Sequence, residues 1–161
     1  MQDSSITAIQ AIQAILAPAL GISAVGLLLL GLTNRYSNMV TRIRLLNDEK
    51  RGLNRILGEK GELSYTDNTR YMSIVKQTDE LLVRTGIIRN AILSLQTAIG
   101  LFVLSSTAIA LNLFFSADIL KAVPLMIFVL GMIMVFVGIF FSGREIHRSY
   151  KIILIEVHAE E

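Results

Sequence analysis

Hydrophobic residues gather in three long blocks, from about Ile6 to Leu32, from about Ile92 to Phe115 and from about Ile119 to Phe141. Each is long enough to supply the ~20 predominantly apolar residues that a helix needs to cross a ~30 Å hydrocarbon layer. Three transmembrane helices are therefore expected. The segment between the first two blocks is polar but patterned. Tyr36, Met39, Ile43, Leu46, Lys50, Leu53 and Leu57 alternate in steps of three and four, the stripe of a helix that packs on another, and only Lys50 interrupts it.

Gly58 and Gly61, around Glu59 and Lys60, predict a helix stop and a reversal. A second helix is expected to begin with a cap at Thr66 or Asp67. Its stripe runs through Tyr71, Ile74, Thr78, Leu81, Thr85 and Ile88 into the second block at Ile92 and Leu95. At ~1.5 Å per residue the two arms would reach ~30–35 Å beyond the membrane as an antiparallel pair. After the third block, Ile146, Tyr150, Ile153 and Val157 keep the same beat, which predicts a C-terminal helix over about 143–158. That helix either packs on the pair or lies on the membrane surface.

The predicted fold is all-α: one membrane domain over 1–161, with three spans extended into an antiparallel helical hairpin (about 34–88) and a C-terminal helix. The placement of Lys and Arg orients it. Fourteen of the fifteen lie between 34 and 89 or after the third block, leaving Lys121 alone on the other side. The positive-inside rule then puts the N-terminus outside and the hairpin and C-terminus in the cytoplasm.

Composition agrees and removes other classes. Fifty-three per cent apolar residues with 17% charged exceeds what an ordinary soluble domain carries. A formal net charge of +2, with acids and bases interleaved, does not favour a nucleic-acid partner. With no cysteine, disulfides and thiol chemistry are excluded. Ala17-Pro18-Ala19 has the form of a signal cleavage site, yet no Lys or Arg precedes Arg35 and the apolar run continues to Leu32, so a retained anchor is expected.

The candidate site residues are polar or small groups inside the spans. Gln10, Gln13, Gln96 and Thr107 are expected to turn from lipid towards other helices or a wet cavity, because an amide in hydrocarbon loses its bonds to water. They either line a pore shared by several copies or fix helix packing. Pro18 implies a kink in the first span, Ala17 and Gly21 a close-packing face, and Gly131 and Gly138, seven apart, a second such face. His147 and His158 stand on one side of the tail without the spacing of a metal site. No phosphate loop, nucleophile elbow or zinc motif occurs, so neither a catalytic nor a cofactor-binding residue is assigned.

The runs Ala8-Ile9-Gln10-Ala11-Ile12, Leu16-Ala17-Pro18-Ala19-Leu20-Gly21-Ile22-Ser23-Ala24 and Leu27-Leu28-Leu29-Leu30-Gly31-Leu32, followed by Asn34-Arg35-Tyr36 and Thr41-Arg42-Ile43-Arg44-Leu45-Leu46, resemble a family of small bacterial inner-membrane proteins catalogued as a domain of unknown function. Arg89-Asn90-Ala91 belongs to the same likeness. The resemblance implies a prokaryotic multi-pass protein of three helices and brings no catalytic residues. The expected function is a non-enzymatic scaffold or interaction module that associates with itself, because heptad arms with one Lys, Lys50, in the seam resemble oligomer-specifying coiled coils; any cytoplasmic protein partner is left unidentified. The alternative is a homo-oligomeric channel lined by spans one and two.

Overall fold

The computed structural model describes residues 8–62, 64–115 and 122–158. Among them are three α-helices and no strand: α1 (Ala8–Lys60), α2 (Tyr65–Phe115) and α3 (Val123–His158). All three are long and apolar enough to cross a membrane. With 53 residues, α1 has more than twice the ~20 that a crossing needs. Span and tail likewise form one helix in α3, which runs through 143–158 without a break.

The chain divides into two compact units, residues 1–32 with 90–143 and residues 33–89 with 144–161. The first holds the apolar blocks. Its core is a cluster of Val25, Leu32, Ala91, Leu95 and Phe102, flanked by Ile22, Leu29, Phe128 and Val135. The buried residues of α2 here, Ala91, Leu95, Ala98, Phe102 and Ser105, step by four and three, so a single stripe meets the neighbouring helices. Large apolar side chains remain exposed on all three helices, among them Leu27, Leu104 and Phe136. On a soluble protein such a surface would be a liability, whereas on membrane spans it faces hydrocarbon.

α3 begins at Val123 with Pro124 in its first turn, where a missing N–H costs no intrahelical bond. Ala122 supplies the carbonyl that accepts from the Met126 amide. Of the expected third span, Ile119 to Lys121 lie outside the described residues.

In the second unit α1 and α2 run antiparallel, since Met39 meets Thr85 while Glu49 and Lys50 meet Arg70 and Tyr71. Leu46, Ile74 and Ile88 are buried there, and Tyr36, Met39, Ile43, Leu53, Tyr71, Thr78, Leu81 and Thr85 are half-buried. Both stripes therefore face inward, except that Leu57, next to the turn, is exposed. Lys50 is used within the chain: its ammonium lies 5.5 Å from the centre of the Tyr71 ring.

The turn differs from the sequence expectation at both ends. Gly58 stays inside α1, and Gly61 alone ends it, with φ +75° and its amide donating to the Leu57 carbonyl at 2.9 Å. This is the left-handed cap that glycine adopts without steric cost. Ser64 caps α2, one turn before Asn68, whose amide donates to its carbonyl. Thr66 and Asp67 fall in the first turn instead, with Asp67 at the position where a carboxylate complements the helix dipole.

Two glycine substitutions should consequently have opposite signs. Gly61→Ala is expected to lower stability by about 1 kcal/mol, because an L side chain strains the left-handed backbone. Gly58→Ala should raise it by about 0.5–1 kcal/mol, since an added methyl group meets open space in a helix. Thermal unfolding followed by helical circular dichroism reads both.

Arg70 donates to Glu49 through Nε at 2.7 Å and through Nη2 at 2.9 Å, a bidentate pair that lowers the Glu49 carboxyl below its ordinary 4.5. The hydrogen bond from Arg70 is the main cause. A carboxyl depressed by folding contributes stability above its unfolded value and loses it as pH falls through the folded one. The hairpin should therefore weaken as pH drops below about 4.5, and Glu49→Gln should remove that part of the acid response. An unchanged pH profile of the melting temperature in Glu49→Gln would contradict this role for the pair.

Candidate functional site

Hydroxyls within the apolar helices first satisfy their own backbone. Ser23 donates to the Ala19 carbonyl, Ser94 to Asn90, Thr97 to Leu93 and Thr107 to Val103, each one turn back. Such bonds answer the donor but leave the helix surface polar. Ser105 is different. Fully buried, it donates across to the Pro124 carbonyl on α3 at 2.8 Å.

The amides have no such outlet. Gln13 and Gln96 are exposed and have no hydrogen-bond partner among the described residues. Gln10 lies in α1, and its side chain falls outside the described ones. Gln96, Gly100, Val103 and Thr107 follow at steps of four, three and four and are all exposed, so they form one outward face of α2. An added Cβ at Gly100 would meet nothing within 4 Å, so among the described residues nothing fills the space over this glycine.

On the inward side the small residues are filled. A Cβ built on Gly21 would stand 3.0 Å from one edge of the Phe102 ring, and one on Gly131 only 2.7 Å from the other. Phe102 thus lies between glycines of α1 and α3, fully buried, with the Phe128 ring 5.4 Å away. One heptad along, the Leu95 side chain occupies the hollow at Gly138, where a Cβ would come within 2.8 Å. Glycine is needed at both α3 positions because the knob on α2 sits where a side chain would begin.

Pro18 lies in α1, which continues through it, and its ring is buried on the face it shares with Gly21 and Val25. Ala17 is exposed. Phe102 and Leu95, the partners of these small residues, are what sequence reasoning misses. The signal available is the equal seven-residue spacing of Leu95 to Phe102 and of Gly131 to Gly138, one in each arm of an expected hairpin.

In the second unit, Glu145 is nearly fully buried and accepts from Arg84 through Nε at 3.2 Å and Nη2 at 2.9 Å. This ties the start of the α3 tail to α2. The remaining tail side chains, including Tyr150, Ile153, Val157 and His158, lie outside the described ones, and His147 is exposed. Among the described residues no three His, Cys, Asp or Glu side chains gather as a metal would require.

Three apolar helices, a lipid-compatible outer surface and a core built on glycine contacts define a multi-pass membrane protein. Residues 15–155 match the model of the family described as protein of unknown function, DUF2721, and the chain belongs to that family. No curated protein and no solved structure matches it.

Proposed function

We propose that the protein is a non-enzymatic scaffold of a bacterial inner membrane that associates with copies of itself through α2. The observation that carries this reading is the exposed Gln96 amide, which lacks a partner among the described residues on a helix surface otherwise suited to lipid. An amide both donates and accepts, so the same face of a second copy satisfies it, and Gly100 lets the backbones approach. Lys50 does not support the idea, because Tyr71 of the same chain engages it. The N-terminus is outside and the hairpin inside, on the strength of the fourteen Lys and Arg on one side.

Association is measured by energy transfer between labelled copies in lipid vesicles. Gln96→Leu should weaken it about threefold for each interhelical amide bond removed, the effect of ~0.6 kcal/mol. A chain that stays monomeric in lipid would end the proposal. So would vesicles that pass ions with a conductance altered by Gln96→Leu or Gln13→Leu, which would establish a pore instead.

A further inference from the structure

A cavity of about 410 Å³ in the second unit is lined by Arg35, Asn38, Met39, Arg42, Leu81, Arg84, Glu145 and Ile146. Arg35, Asn38, Met39 and Arg42 are spaced three, four and seven along α1 and so share one face. The lining is amphipathic: Met39, Leu81 and Ile146 supply apolar surface, and three guanidiniums with one amide supply donors. Its single carboxylate, Glu145, is already held by Arg84. Neither Arg35 nor Arg42 has a carboxylate partner among the described residues. Two guanidiniums therefore line the cavity with no carboxylate among the described residues to answer their charge.

The lining residues lie close in sequence to all three apolar blocks. Arg35 follows Leu32 by three residues, Glu145 follows Phe141 by four, and Arg84 precedes Ile92 by eight. Residues just beyond a span meet the headgroup layer, where phosphate is abundant. Guanidinium forks suit phosphate oxygens, and the apolar lining suits the glycerol and upper acyl chain attached to them. We propose that this cavity binds the phosphate of an anionic phospholipid, with Arg35 and Arg42 as the donors and Asn38 between them.

The test uses the full chain purified in mild detergent, with lipid retention counted by native mass spectrometry. Phosphatidylglycerol should be retained about tenfold over phosphatidylcholine, whose choline cation offsets its phosphate charge and is repelled by the two arginines, a difference of about one charge-assisted interaction. Arg35→Gln with Arg42→Gln should abolish that preference, chiefly by lowering phosphatidylglycerol retention. Arg51→Gln with Arg55→Gln, at exposed arginines paired with Asp48 and Glu59, should preserve it. Equal retention of the two lipids by the native chain overturns the proposal, as does an equal loss in the Arg51 and Arg55 control, which would mark a diffuse surface charge. Inorganic phosphate that displaces phosphatidylglycerol at matched concentration also overturns it, because the site would then be one for a soluble anion.

Discussion

Phe102→Ala is expected to lower the stability of the protein by about 3 kcal/mol. The ring is fully buried between Gly21 and Gly131, so its removal opens a void bordered by two residues that have no side chain to fill it. In lipid the transfer part of the penalty shrinks, since hydrocarbon tails are as apolar as the protein interior, and the loss of packing remains. A complementary result should follow at the glycine. Gly131→Ala should cost about 1–3 kcal/mol beside Phe102, where its methyl would meet ring carbons at under 3 Å, and much less in a Phe102→Leu background. A double-mutant cycle of thermal stabilities in one detergent measures that coupling. Additive effects would mean that the ring moves aside freely.

The second large effect lies at Arg84. Arg84→Ala deprives a carboxylate with only 5% of its side chain exposed of its guanidinium, and a loss of about 3 kcal/mol is expected. Arg51→Ala and Arg55→Ala, which break exposed pairs within α1, should each change stability by less than about 1 kcal/mol. Replacing both members, as Arg84→Met with Glu145→Leu, should recover most of the loss, because the cost lies in stripping a buried carboxylate of its guanidinium more than in losing the pair. Failure of that double variant to recover would show that another interaction of Glu145 matters more.

Much of this architecture is readable in the chain because membrane helices and paired helices each impose a period. The three apolar blocks mark spans by length alone, and the stripes from Tyr36 to Leu53 and from Tyr71 to Leu95 do face inward in the structure, while Leu57, at the turn, is exposed. Local chemistry is readable less finely. Both Gly58 and Gly61 announce a stop, but only a backbone geometry tells which one adopts positive φ. Pairings distant in sequence stay hidden. Arg84 and Glu145 are 61 residues apart, and each alone is an ordinary charge on a polar helix. Lys50 in an apolar seam reads equally well as a mark of a second subunit or as a cation over an aromatic ring. Gln96 is the converse case: its type and position are evident, and only the packing of α2 tells that no described residue partners it.

The equal spacing of knobs and hollows has a consequence for assembly. Phe102 and Leu95 are seven residues apart, and so are Gly131 and Gly138, so sliding α3 by one heptad along α2 still leaves one bulky side chain over one glycine. Packing alone thus admits a near-match on either side of the native alignment. The Ser105 hydroxyl breaks that degeneracy: its acceptor, the Pro124 carbonyl, comes within 2.8 Å in the native alignment, and a slide moves it ~10 Å away. In a membrane, where a displaced hydroxyl has only its own helix backbone to turn to, one interhelical hydrogen bond can act as the vernier that tells two nearly equal registers apart.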